Sequence, residues 1–344
     1  MVECEYLKLF IVECKNDYRF NCRKSLMFCN KTMASFFYML TCQVEYDDRV
    51  FFTSIELLNR YLICSMVKSS HSIGKDQKSL KNQYESIKEK YCQDKYIIAT
   101  ACFQLATQIC DQPIDTPRLI EYFHELTRMD PNMTKVTTLN RDQLIQIQIQ
   151  ILTTIDHMFP RYTPHIFISH FLRFLSRFIY LFSSKGKEKN RKNLDSEIKM
   201  ISERLHNASM LLLVHIYLQW TLLIELLAKK ESGLSKVNKI QMESVTQRFR
   251  DPLLLGSATI LAASKMFCHG MNSQIHDKII SLCVSLLGID PMRIYMAQFF
   301  AEEVIQKSVS VRLLIGSKNN ATSRIIVDRE HDFDDESMMI FKSS

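Results

Sequence analysis

The segment Ile97–Ile109, "IIATACFQLATQI", is apolar enough for a protein core yet short of bulk: Ala99, Thr100, Ala101, Cys102, Ala106 and Thr107 are all small. A second segment, Leu253–Met266, "LLLGSATILAASKM", has the same character. A helix with small side chains on several faces lets its neighbours approach closely, so both segments belong at the middle of a helical bundle. An offset of 157 residues lays Ala263-Ser264-Lys265 over Ala106-Thr107-Gln108. Gly256, Ser257, Ala258 and Thr259 then fall on Ala99, Thr100, Ala101 and Cys102, while Leu254, Leu255 and Ile260 fall on Ile97, Ile98 and Phe103. Two further apolar helical segments follow each copy at similar spacing. The pattern predicts two copies of one helical unit.

Composition agrees. A chain of 344 residues is long enough for two domains with a core each. Only seven glycines and seven prolines occur, too few for a turn-rich sandwich or barrel. The 11 cysteines include no C-x-x-C pair and are odd in number, which favours reduced thiols over a disulfide framework. Cys268, His269 and His276 cluster loosely but lack an evident fourth ligand, so no metal and no cofactor is expected. Acids at Glu3 and Glu5 argue against a secretory signal. Ala208–Ala228 has the length of a membrane span, but His215, Gln219 and Glu225 interrupt it, and an enclosed central helix is the better reading.

Prolines mark the helix starts. Thr116-Pro117, Thr163-Pro164, Asp251-Pro252 and Asp290-Pro291 each pair an N-cap oxygen with a proline at the first helical position. They predict helices from Pro164 to about Phe182, Pro252 to about Cys268 and Pro291 to about Lys307, with others starting near Lys31, Val50, Asp94, Arg141, Lys199 and Gln274. Asp130-Pro131 reads instead as a turn. "LIQIQIQIL" (Leu144 to Leu152) alternates like a strand, yet Leu144, Ile147, Ile151 and Ile155 also form a helical stripe, and with no partner strand nearby it reads as helix. The charged stretch Ser69–Lys90 reads as an insertion, with room for a solvent-facing helix of its own. Residues 183–193 read as a basic loop and those after about Ser308 as a flexible tail.

Two five-helix units, each around a thin third helix, resemble the paired cyclin boxes of the cyclin fold. "FFTSIELLNRYL" (Phe51 to Leu62) resembles a second helix ending in an Asp-Arg-aromatic-Leu signature, here Asn59-Arg60-Tyr61-Leu62. "IIATACFQLATQI" resembles the third helix, and "QIQIQILTTIDHMFPRYTPHIFISHFL" the fifth helix and the passage into a second box. More narrowly, the long charged insertion and "CFQLAT" (Cys102 to Thr107) resemble the family of cyclin N-terminal domain-containing protein 1 and its meiotic relatives. The resemblance implies an all-α chain: an N-terminal extension over 1–29, a first cyclin box over 30–163 with the insertion 69–90, a second over 164–307, and the tail 308–344.

Cyclins are non-catalytic and hold the mobile helix of a cyclin-dependent kinase so that its Lys–Glu pair and metal-binding Asp align. A Lys closing the third helix and a Glu in the fifth usually support that grip; the matching positions here are Gln108 and Gln148. The patch "MRAIL" of substrate-recruiting cyclins is also missing from the first helix, "NKTMASFFYML". Charge-assisted hydrogen bonds are roughly twice as strong as neutral ones, so weak or altered kinase binding is expected. The family further implies a nuclear protein on meiotic chromosomes that promotes crossover designation and maturation of recombination intermediates. Its implied partners are a cyclin-dependent kinase and crossover-site MutS-type proteins.

A net charge of +7 fits association with chromatin, and Lys185, Lys187, Lys189, Arg191 and Lys192 form a patch suited to nuclear import or nucleic-acid contact. Three rival classes remain at this stage. An enzyme is disfavoured by the lack of a phosphate loop, H-E-x-x-H or G-x-S-x-G. A conventional cyclin would activate its kinase fully, in cell-cycle or transcriptional control. A cyclin-fold DNA-binding factor would bind duplex with steep salt dependence.

Overall fold

A computed structural model describes residues 7, 11–13, 31–71, 77–129, 138–160, 163–183, 191–233, 236–267 and 273–307, and every regular element among them is an α-helix. The first group comprises α1 (Lys31–Val44), α2 (Asp48–His71), α3 (Gln77–Ile109), α4 (Thr116–Met129) and α5 (Arg141–Thr154). The second comprises α6 (Pro164–Ser183), α7 (Arg191–Leu218), α8 (Trp220–Ser232), α9 (Lys239–Phe249), α10 (Pro252–Phe267), α11 (Ser273–Leu287) and α12 (Pro291–Lys307).

The caps act locally as their chemistry requires. Asp251 and Asp290 each accept a hydrogen bond from the amide two residues on, at Leu253 (2.9 Å) and Met292 (3.0 Å). Those bonds satisfy first-turn donors that have no intrahelical partner. Asn140 and Gln143 form a reciprocal capping box at the start of α5, which settles "LIQIQIQIL" as helix.

Both thin helices lie at the centre. Every residue from Tyr96 to Thr107 is buried, and so is every residue from Pro252 to Ser264. Helix α3 packs against α1, α2, α4 and α5; α10 packs against α6, α7, α11 and α12, and more lightly against α9. The hydroxyls of Thr100, Thr107, Thr259 and Ser264 in these two helices turn back onto their own helices. Thr107 donates to the Gln104 carbonyl (2.7 Å), and Ser264, at the 157-residue offset, donates to the Leu261 carbonyl (2.8 Å). A buried hydroxyl left unbonded would cost about 1–3 kcal/mol, so such back-bonding lets Thr and Ser serve as small core residues.

The two groups meet where α1 and α2 touch α7. Phe52 stacks on His165 (5.1 Å between centroids) and leans against Tyr217 (5.7 Å), whose hydroxyl donates to Glu56 (2.8 Å). Aromatic burial of this kind contributes more per residue than aliphatic packing.

Three expectations need correction. The stretch Ser69–Lys90 holds no separate helix among the described residues: residues 77–90 are the first part of the 33-residue α3, which runs straight into the thin segment instead of starting near Asp94. Helix α7 starts at Arg191, not near Lys199. Ala208–Ala228 is two helices, bent by 82° at Gln219. The Gln219 amide still donates to the His215 carbonyl (2.9 Å) and its carbonyl accepts from Leu223 (3.0 Å), while Trp220 folds back to stack on Tyr217 (6.1 Å). Among the described residues no single helix is long and apolar enough to cross a membrane, and this bent pair alone passes on length and composition. Among its described residues the span 164–307 therefore carries seven helices where five were expected, α8 and α9 lying in the chain between α7 and α10.

Candidate functional site

The face shared by α3 and α5 gathers the candidate kinase-contact positions. The stripe of isoleucines on α5 divides by angle: Ile151 is buried and Ile147 half-buried, whereas Ile145 and Ile149 are 38% and 53% exposed. Gln148 lies between the two sides. Its Nε2 donates to Oε1 of Gln104 on α3 (2.8 Å), and Gln104 Nε2 donates in turn to the Thr116 hydroxyl at the start of α4 (2.9 Å). Gln108 is exposed, one helical turn beyond Gln104. The site is thus neutral: an amide relay across three helices, an exposed glutamine at its open end, and two exposed isoleucines beside it.

Sequence reasoning singled out Gln108 and Gln148 as candidates and did not single out Gln104, which is 4% exposed and holds Gln148 in place. A buried polar residue inside an otherwise small-and-apolar helix was the available signal.

The second group repeats this layout with different chemistry. Gln298 lies 150 positions after Gln148, and Tyr295 and Phe299 fall on Ile145 and Ile149 at the same offset. They are 47% and 52% exposed, closely matching the two isoleucines. Lys265, which falls on Gln108 at the 157-residue offset, pairs with Glu302 on α12 (2.8 Å), and Glu302 also accepts from Gln298 Nε2 (2.9 Å). The Lys–Glu combination absent from α3 and α5 is therefore present between α10 and α12. Lys230 of α8 lies 5.9 Å from the Phe299 ring centroid, within cation–π range.

Other candidate residues are placed as follows. Arg191 and Lys192 begin α7; Lys185, Lys187 and Lys189 lie outside the described residues, as do Cys268, His269, Pro131, nearly all of 1–29 and the tail 308–344. His276 is engaged through Nδ1 with the Ser264 hydroxyl (2.7 Å). Among the described residues no group of three or more His, Cys, Asp or Glu is arranged to hold a metal ion. Cys42, Cys64, Cys102, Cys110 and Cys283 are not joined in disulfides, and burial pushes Cys102 well above the ordinary thiol range and Cys283 up to about 12. Thiols so protonated are poor nucleophiles.

No family model and no curated protein sequence matches this chain.

Proposed function

We propose that the chain is a non-catalytic, cyclin-like protein of the meiotic nucleus, built from two tandem cyclin boxes over 30–163 and 164–307. In this reading it is a docking scaffold at designated crossover sites, helping recombination intermediates mature, with cyclin-dependent kinase and MutS-type crossover proteins as partners. The observation that carries the reading is the position of the two thin helices. Each packs against helices on both sides of it in the chain, α3 against α1, α2, α4 and α5, and α10 against α6, α7, α9, α11 and α12, the arrangement an internal repeat calls for. The residue resemblances in Phe51–Leu62 and Cys102–Thr107 take the reading from a helical repeat to the cyclin-like family. The extra pair α8 and α9 lies in the chain between the second and third helices of the second box, whereas the charged stretch of the first forms the end of α2 and the first part of α3.

The neutral face at Gln108 and Gln148 supports weak kinase association. A lysine and a carboxylate there would supply charge-assisted bonds that amides do not. Reconstitution of the chain with candidate cyclin-dependent kinases tests this. The expected result is little phosphorylation of a test substrate, and tighter association once Gln108→Lys and Gln148→Glu are combined. Robust activation by the natural chain would instead make it a conventional cyclin. In germ cells, the tagged protein should form a few discrete foci on paired chromosomes; uniform cytoplasmic signal would remove the meiotic reading.

A further inference from the structure

Helix α12 turns Ile294, Ala297 and Gln298 into the core, while Met292, Tyr295 and Phe299 share its opposite side and are exposed. Single apolar side chains scattered over a surface are ordinary; three large ones in one outward row are the mark of a contact face.

Two ammonium groups lie at the Phe299 end of that row. Exposed Lys230 sits over the Phe299 ring. Glu302 follows Phe299 by three residues and is its neighbour on the helix surface. It pairs with Lys265 (2.8 Å) and also accepts from Gln298 (2.9 Å). The Glu302 side chain is only 11% exposed and that of Lys265 51%, so the pair turns its positive end outward. The face therefore suits a ligand that is acidic at one end and apolar at the other.

This chain contains such a segment. Asp332, Asp334, Asp335 and Glu336 surround Phe333, and Met338, Met339, Ile340 and Phe341 follow. We propose that residues 332–341 dock on the outer side of α12 of the same chain, with the carboxylates at Lys230 and Lys265 and the apolar run along Tyr295 and Met292. Chain order favours that direction. The chain leaves α12 at Lys307, the cationic end of the row, so the acidic block arrives there first. Glu302 lies about 8 Å along the helix from Lys307, whereas a stretch the length of residues 308–331 reaches roughly 25 Å. A tether of that length holds the segment at millimolar effective concentration, enough for exposed ion pairs and a few apolar contacts to hold it. The matching face of the first group is a poorer target, because neutral Gln108 stands where the second has Lys265. The contact does not depend on the cyclin reading, and any partner of the outer α12 face competes with it.

The test treats the full chain, at low micromolar concentration, with a carbodiimide, which joins a carboxylate to an amine where the two already touch. Linked peptides are read by mass spectrometry after isotopically heavy and light protein are mixed. Links from the carboxylates of 332–336 to Lys230 or Lys265 are expected, within single chains. Tyr295→Ser with Phe299→Ser keeps both lysines and should lower the yield at least about tenfold. Should that variant melt early, Phe333→Ser with Phe341→Ser decides the matter, because it changes only the docking segment and should lower the yield as much. Ile145→Ser with Ile149→Ser should leave it unchanged. Absence of these links, yields indifferent to both the Tyr295 and the Phe333 variants, or links that join heavy to light chains overturn the proposal; the last would mean that a second copy covers α12.

Discussion

Gln148 on α5 donates a 2.8 Å hydrogen bond to Gln104 on α3, joining residues 44 apart in the chain. Because Gln104 is buried and also bonds Thr116, three helices share one amide. Gln104→Ala removes that hub, opens a cavity and strips a partner from both neighbours, so a loss of about 2–4 kcal/mol is expected in urea unfolding. Gln148→Ala removes one bond at the half-buried edge, where water replaces it, and should cost only about 1 kcal/mol. Equal losses would mean that the relay does not run through Gln104.

Gly256 lies where α10 meets α6. A Cβ added there would overlap the ring of Phe167 and come within 3.3 Å of the Pro164 carbonyl oxygen. Alanine would ordinarily strengthen a helix interior by about 1 kcal/mol over glycine. Phe167 is fully buried, so overpacking of about 1–3 kcal/mol opposes that gain. Gly256→Ala should therefore lower the melting temperature, and Gly256→Ala with Phe167→Leu should recover part of the loss. A melting temperature raised by Gly256→Ala alone would show that α6 yields freely.

The parts of this architecture that were legible in the sequence are those written in local chemistry. Small residues at Ala99–Cys102 and Gly256–Thr259 marked the central helices because close approach depends on side-chain size alone. Asp251, Asp290 and their prolines marked helix starts because a cap is satisfied within three residues. The bend at Gln219 was not legible: neither glycine nor proline marks it, and apolar residues continue on both sides, held by Trp220 against Tyr217. Helix α9 did carry a signal, the Asn238–Gln241 capping box, which its polar sequence obscured. The first part of α3 was hidden because residues 77–90 are too charged to show an apolar stripe. Pairings such as Gln104–Gln148 and Lys265–Glu302 depend on how helices pack, which no local pattern records.

His165 stacks on Phe52 with its Nδ1 2.8 Å from the Thr163 hydroxyl, and it is 3% exposed. Burial lowers its pKa from 6.5 to about 3; nearby Arg49 and His206 act the same way, and Asp47 opposes them. The folded state holds the ring neutral while the unfolded chain takes up a proton below about pH 6.5. Stability from this group is therefore complete above that pH and declines as pH falls towards 3, by about 2 kcal/mol at pH 5. His165→Asn should cost stability at pH 7.5 yet flatten the fall between pH 7 and 5. Parallel pH curves for the two proteins would show that His165 does not set this window.

Arg60 of α2 donates to the carbonyl oxygens of Met158 (2.8 Å) and Phe159 (3.0 Å), and Lys68 to that of Thr153 (3.0 Å) and to Asp156 (2.6 Å). Lys68 sits at the C-terminal end of α5, where the helix dipole favours positive charge, and Arg60 holds the chain just beyond it. The turn there holds Asp156 and His157 at φ of 52° and 56°, a conformation that non-glycine residues adopt at a cost. Arg60 thus fixes a strained exit from α5 towards α6. Arg60→Met keeps the aliphatic stem but removes both bonds, and a loss of about 1–3 kcal/mol is expected. Lys68→Met, at an exposed position, should cost less than about 1 kcal/mol. His157→Gly relieves the backbone and should offset part of the Arg60→Met loss, by up to about 1 kcal/mol. Thermal melts of the three single variants and the Arg60→Met with His157→Gly pair decide it: if glycine gives the double variant no recovery, the turn is not where Arg60 acts.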